Sequence, residues 1–223
     1  MKLTTMLATL SLMTITPAAT QDATQLTRTY KEGETSKYKL ELKFTSGGMD
    51  GSLLAEMDWK VKKLLDGGKV TGSINPVSMK LALGDGNSPD MGSSEFIDEF
   101  GPTGMPTNLE LNQDQAVFSL FSFSSYLPNK AIKVGDTYPI DWTAKASGVK
   151  VQGTGKLVEI TKLGETKAYK VDSKVELAPS SGDVGELKVT SWFDAANGQL
   201  LKAEGKLTIG EELTANVKVE KKS

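Results

Sequence analysis

The chain has 223 residues, with 26 Lys+Arg against 28 Asp+Glu, and it contains neither histidine nor cysteine. Those two absences exclude a Ser-His-Asp or Cys-His arrangement, an imidazole base, a histidine or thiolate metal site and a disulfide framework. A nearly balanced charge in which Arg28 is the single arginine leaves no footprint for nucleic acid.

The first segment has the order of an export signal. Met1-Lys2 is a short positive start, and Leu3 to about Thr16 is an apolar run too short to span a bilayer. Pro17-Ala18-Ala19-Thr20 then supplies small residues. This predicts a signal peptide over 1–20, cleaved between Ala18 and Ala23, and a mature protein that is secreted or periplasmic. No cysteine follows the run, so a cysteine-linked lipid anchor is not expected. No later stretch approaches the ~20 apolar residues of a membrane helix. A mature chain of 21–223 is long enough to bury roughly 70% of its surface as one domain.

From Ser36 onward the signal is alternation. Tyr38, Leu40, Leu42 and Phe44 interleave with Lys37, Lys39, Glu41 and Lys43, which puts one set inside and the other in water on a strand. Ala55, Met57, Trp59 and Val61 repeat the pattern, and Asp66-Gly67-Gly68 reads as a hairpin turn. The return carries Val70, Ile74, Val77, Met79, Leu81 and Leu83. Its parity changes at Asn75-Pro76, a bulge or edge signal.

The second half behaves alike. Tyr138, Ile140, Trp142, Ala144 and Ala146 share a face. Val149 and Val151 lead through Gly153 and Gly155 to Val158 and Ile160, again with a parity change. Tyr169, Val171, Val175 and Leu177 return, followed by Leu187, Val189 and Phe193, a turn at Asp194–Gly198, then Leu201, Ala203, Leu207 and Ile209, and a last strand over 213–220. The spacing predicts eight to ten strands in a curved antiparallel sheet or open barrel. Tyr30–Thr35 and Ile132–Thr137 resemble each other, which suggests two repeated halves, about 28–83 and 130–220; any polar loop before a strand would look similar.

A loop over 84–112 joins the halves. Ser94–Phe100 in it reads as one or two helical turns with Phe96, Ile97 and Phe100 together. The stripe of Val117, Leu120, Phe121 and Leu127 then predicts one central helix over 113–127. Asp85, Asp90, Glu95, Asp98 and Glu99 cluster in the loop. They read first as a solvated acidic surface, next as a calcium site, and last as a carboxylate pair for hydrolysis. The EF-hand spacing fails, because Pro89 and Phe96 fall at ligand positions. No metal, cofactor or catalytic residue is therefore assigned.

Aromatic residues offer the other constellation. Trp59, Trp142, Phe118, Phe121 and Tyr126 are the candidate ligand-binding residues, lining a cavity between sheet and helix. They can equally fill an ordinary core. Trp192 has the opposite parity to its neighbours, so it is expected outside or beside a bulge.

Four segments, Tyr30–Thr35, Trp59–Ile74, Leu127–Thr137 (LPNKAIKVGDT) and Trp192–Gly205 (WFDAANGQLLKAEG), resemble a family of exported bacterial β-rich proteins classified only as a domain of unknown function. Here Ile132 stands for a valine and Tyr138 for a tryptophan of that pattern. The resemblance implies a curved antiparallel sheet with a helix on its concave side, a shape similar to periplasmic lipoprotein carriers. The expected function is non-enzymatic extracytoplasmic binding of a small apolar or lipid-like molecule. The alternatives are a structural or partner-binding envelope module and, behind it, a carboxylate-dependent hydrolase.

Overall fold

A computed structural model describes residues 22–84, 86–90, 94–108, 124–145, 148–178, 183–211 and 213–222. The expected signal peptide lies outside them. Among the described residues there are thirteen strands: β1 (Thr24–Leu26), β2 (Thr35–Ser46), β3 (Met49–Leu64), β4 (Val70–Leu83), β5 (Gly86–Asp90), β6 (Phe96–Phe100), β7 (Lys130–Ile132), β8 (Thr137–Thr143), β9 (Lys150–Leu163), β10 (Thr166–Ala178), β11 (Gly185–Asp194), β12 (Leu200–Ile209) and β13 (Leu213–Lys221). The order β5-β4-β3-β2-β13-β12-β11-β10-β9-β8 forms one antiparallel sheet, with β6 also on β4, while β1 and β7 pair separately. Among the described residues no strand pairing closes it into a barrel.

The chain turns where the sequence says it must. Gly67 and Gly68 take φ of 70° and 73° between β3 and β4, the left-handed region that glycine enters without penalty. The two look-alike segments adopt the same turn. Gly33 N–H donates to Val61 O while Val61 N–H donates to Glu34 O. Gly135 N–H likewise donates to Leu157 O while Leu157 N–H donates to Asp136 O.

Burial fixes the register. Leu53, Met57 and Val61 on β3 are at most 9% exposed. At about 1.5–3 kcal/mol for each buried side chain, slipping this strand by one residue would forfeit roughly 5–9 kcal/mol. That rivals the net stability of a domain, about 5–15 kcal/mol.

Beside a bulge at Lys62 on β3, three others keep the parity right. Val77 is the extra residue on β4, Val158 on β9 and Leu201 on β12. The change expected at Asn75-Pro76 is thus real but lies at Val77, which points outward, 59% exposed. Likewise Leu157 and Leu200 are buried, where Val158 and Leu201 were expected. In each case two neighbouring apolar residues compete for one inward position, and the bulge decides between them.

The linking segment departs most from expectation. Phe96–Phe100 is a strand, β6, paired with Ile74–Val70, not helical turns. Its side chains obey period two: Phe96 and Phe100 are buried while Ile97 is exposed. The long loop therefore contains two strands, which helps raise the count above ten. The predicted helix falls outside the described residues except for Ser124–Leu127, which form a turn and irregular backbone, and no α-helix occurs among the described residues.

The sheet curls strongly. From β6 on one edge to β8 on the other there are nine strand spacings, about 43 Å if flat at ~4.8 Å each. Yet Thr107 N–H donates to Glu99 O on β6, and Thr107 O accepts from Lys145 N–H just beyond β8. One residue thus straddles the gap between the two edges. Gly153 and Gly205 permit close approach of neighbouring strands. A Cβ at Gly153 would stand 2.0 Å from Lys174 O, and one at Gly205 would stand 2.3 Å from Lys188 O. These neighbours are backbone and cannot rotate away. Gly153→Ala and Gly205→Ala should each destabilise the fold by about 1–3 kcal/mol. Urea unfolding measures this, and unchanged midpoints would show that the curl does not depend on them.

Candidate functional site

The inner face of the sheet is apolar almost from edge to edge, and the pairing shows it row by row. Met79, Ala55, Leu40, Val219, Ala203, Ser191, Val171 and Leu157 lie opposite one another in turn across eight strands. The next row on this face runs Leu81, Leu53, Leu42, Val217, Gly205, Val189, Ser173, Gly155, Tyr138. Neither row contains an ionisable group other than the tyrosine.

Over the half of this face near Tyr38 and Phe193 the chain supplies its own cover. Leu26, Met105, Leu127 and Ile132, from β1, β7 and the segments around 105 and 127, join the buried cluster of the sheet. Polar contacts tie these segments down: Tyr30 Oη donates to Gly101 O at 2.9 Å, Tyr38 Oη to Leu200 O at 3.0 Å and Ser191 Oγ to Ser124 O at 2.8 Å. Toward the Ser46–Met49 turn the inner face is less covered. Leu42, Phe44, Leu81, Ile209 and Leu213 pack on the core but keep part of their surface.

Three of the five candidate ligand residues, Trp59, Trp142 and Tyr126, are among the described residues. Trp59 is buried on β3, edge-on to Phe100 with ring centroids 4.5 Å apart, and Tyr30 lies 6.3 Å away. Trp142 sits on β8, near the other edge, half-buried, with Nε1 donating to Pro106 O at 3.1 Å. Tyr126 stacks on Tyr138 at 6.3 Å. Phe118 and Phe121 lie outside the described residues. Trp192 is on the outer face beside the Leu201 bulge, with the ammonium groups of Lys202 and Lys170 at 5.1 and 5.8 Å from its ring. The partly open leucines were visible as alternation, but sequence could not say which end of the sheet would stay uncovered.

Of the acidic cluster, the three side chains described lie on or just before β6. Glu95 pairs with Lys62 and Glu99 with Lys69, each at 2.8 Å. Asp98 is buried and accepts from Asn108 N–H at 2.7 Å and Glu99 N–H at 2.6 Å. Burial pushes its carboxyl above the usual range, against the pull of those donors. Among the described residues no group of three acidic side chains is placed to hold a metal ion. The side chains of Asp85 and Asp90 are not described.

A cleft of about 440 Å³ opens beside the β3–β4 turn. Tyr30, Leu64, Val70 and Pro102 give it apolar walls, and Arg28 closes its inner end. Arg28 is already engaged. It is ion-paired to Glu34, lies 4.4 Å from the Tyr30 ring centre and donates to Asn197 O at 3.3 Å. The cleft therefore offers packing surface and little unspent charge.

The chain matches no known protein family and no curated protein. Its fold is similar to that of a lipovitellin whose structure concerns lipid–protein interactions, with a TM-score of 0.51 and 10% identity over 87% of this chain. The match spans 25% of the lipovitellin chain. A DUF1329 family protein from Desulfovibrio piger superposes with a TM-score of 0.28 and 8% identity, over 84% of each chain. That value is too low to bear on the fold.

The five tyrosines give a test of how dry the interior is. All have phenol groups pushed up, with burial the largest cause in each. An unfolded phenol ionises near about 10. The folded state holds the neutral form, so this stability is complete below about pH 10 and is lost as pH rises further. Tyr30, Tyr38 and Tyr138 should ionise only together with loss of the β circular dichroism, whereas the less enclosed Tyr126 and Tyr169 can ionise first. Tyrosinate absorbance from more than two tyrosines in a chain that stays folded would contradict this packing.

Proposed function

We propose that this protein is a non-enzymatic extracytoplasmic binding protein for an apolar or lipid-like ligand. The observation that carries the reading is the partly uncovered patch of Leu42, Phe44, Leu81, Ile209 and Leu213 on the inner face of an open sheet. Apolar surface left open on a concave face is the usual material of a small-molecule site. The rows beside it carry no carboxylate or ammonium, so they favour a hydrocarbon chain over a charged metabolite. The likeness to the lipovitellin sheet supports the same reading by analogy of fold. The leader-like order of Met1–Thr20 supports an extracytoplasmic location in this reading. The lack of histidine and cysteine, with Glu95 and Glu99 ion-paired to lysines, supports binding over catalysis in it.

The test uses the mature chain and a fluorescent long-chain fatty acid. Saturable binding is expected. Leu42→Gln combined with Leu213→Gln should weaken it at least fivefold, since each buried leucine contact is worth about 1–3 kcal/mol. Leu54→Gln, on the outer face of β3, should leave binding unchanged. Extraction of the protein from its own host should yield a bound lipid by mass spectrometry. Absence of both saturable binding and co-purifying lipid would leave the structural or partner-binding module as the better account.

A further inference from the structure

The outer face of the sheet carries a second feature, independent of the apolar interior. A groove of about 650 Å³ crosses the strands between β8 and β13. Its floor includes Ser173, Val189 and Gly205, residues of β10, β11 and β12 that alternate inward. Its walls are the outward residues on either side.

One wall is a row of lysines. Lys174, Lys188 and Lys206 stand directly opposite one another on three neighbouring strands. At ~4.8 Å per strand they span about 10 Å. Like charges placed directly across a sheet are destabilising. Glu186 answers only two of them, at 2.8 Å from Lys174 and 2.6 Å from Lys188. Lys206 has no ion pair among the described residues. Nor does Lys156, which stands on the opposite wall. That wall continues through Asp172, Thr190 and Glu204, again directly opposed in turn.

We infer that this groove binds a linear acidic polysaccharide laid across the strands. The lysine row meets the carboxylates of such a chain. Glu204 accepts from its hydroxyls, as does Asp172 beside the bond it already accepts from Thr190 Oγ1 at 2.7 Å, while Thr154 and Asn216 can donate to it or accept from it. Four lysines stand against Asp172, Glu204 and the Glu186 that pairs two of them, so the groove keeps a net positive charge, centred on Lys206 and Lys156, in a chain whose formal net charge is −2. The groove is one residue row wide, so a polymer chain reaches its floor and a flat bilayer does not. No aromatic side chain lines it, so nucleic-acid bases find nothing to stack on.

The experiment measures binding of oligogalacturonate to the mature chain at low salt. Binding is expected, with affinity falling as salt rises. The triple variant Lys174→Gln, Lys188→Gln, Lys206→Gln should lose at least tenfold in affinity while its melting temperature does not fall. A control triple on the same face, Lys37→Gln, Lys60→Gln, Lys80→Gln, should bind as the wild type does. Neutral dextran should not bind. No binding by the wild type, equal losses in both triples, or equal binding to phosphatidylglycerol vesicles with the same lysine dependence would overturn the proposal. None of these outcomes bears on the fatty-acid test of the inner face.

Discussion

Everything in this molecule follows from one constraint: a single sheet layer must keep one face dry along its whole width. A strand exposes alternate residues to opposite faces, so an error of one residue anywhere inverts all that follows on that strand. The bulges at Val77, Val158 and Leu201 are where the chain corrects such errors. Pro76-Val77, Leu157-Val158 and Leu200-Leu201 are adjacent apolar pairs on which strict alternation would fail. At each, the structure inserts one unpaired residue and resumes the inward pattern beyond it. The bends that bulges impose also help an eleven-stranded sheet to curl around its own core.

A curled sheet alone would leave its concave side wet, and polar groups decide how it is covered. Arg28 is buried at the start of the fold with Glu34 as its counter-charge. Glu34 also accepts from Gln199 Nε2 at 3.0 Å, and Gln199 in turn holds Ser36 Oγ at 2.6 Å and Lys221 Nζ at 2.5 Å. The network therefore joins the segment after β1, the start of β2, the turn before β12 and the end of β13. Removing one partner of such a buried set strands the others without solvent, which costs more than the set itself contributes. Tyr138 is the exception. Its hydroxyl is buried with no hydrogen bond of ordinary geometry, although Ser173 lies near enough to favour its ionised form slightly. Its ring covers Gly155 on the neighbouring strand, and that packing keeps it there.

The sequence made the strands legible because alternation is a local property. Tyr38–Phe44, Ala55–Val61 and Tyr169–Leu177 were readable as inward sets without any knowledge of their partners. The turn at Asp66–Gly68 was readable from its glycines. Where reading failed, the deciding interaction was remote. Phe96 and Phe100 fit a helical stripe as well as a strand until β4 offers backbone partners. Nothing local says that Leu157 outranks Val158, because the choice depends on Val171 across the ladder. The single arginine was noted for what it excludes, yet its role inside an ion-paired network depends on residues up to 193 positions away. For the candidate site, the residue types were legible but their assembly was not. Trp59 and Trp142 both sit on apolar strand faces, as expected; that both reach the Phe100–Pro106 segment, Trp59 through the Phe100 ring and Trp142 through Pro106 O, depends on remote backbone pairing.

The open form of the sheet is what gives its inner surface a functional reading. A closed barrel fixes its interior volume through strand number and tilt. Here, among the described residues, the edges meet through Thr107, with backbone bonds at 2.8 and 3.2 Å, and through Trp142 Nε1, which donates to Pro106 O at 3.1 Å. Separating them exposes a few polar groups to water, where they re-pair at little net cost. The apolar rows behind them are held by continuous ladders and need not move. The proposed binding of an apolar chain rests on this arrangement: continuous ladders, a seam of few bonds, and partly uncovered leucines near the Ser46–Met49 turn.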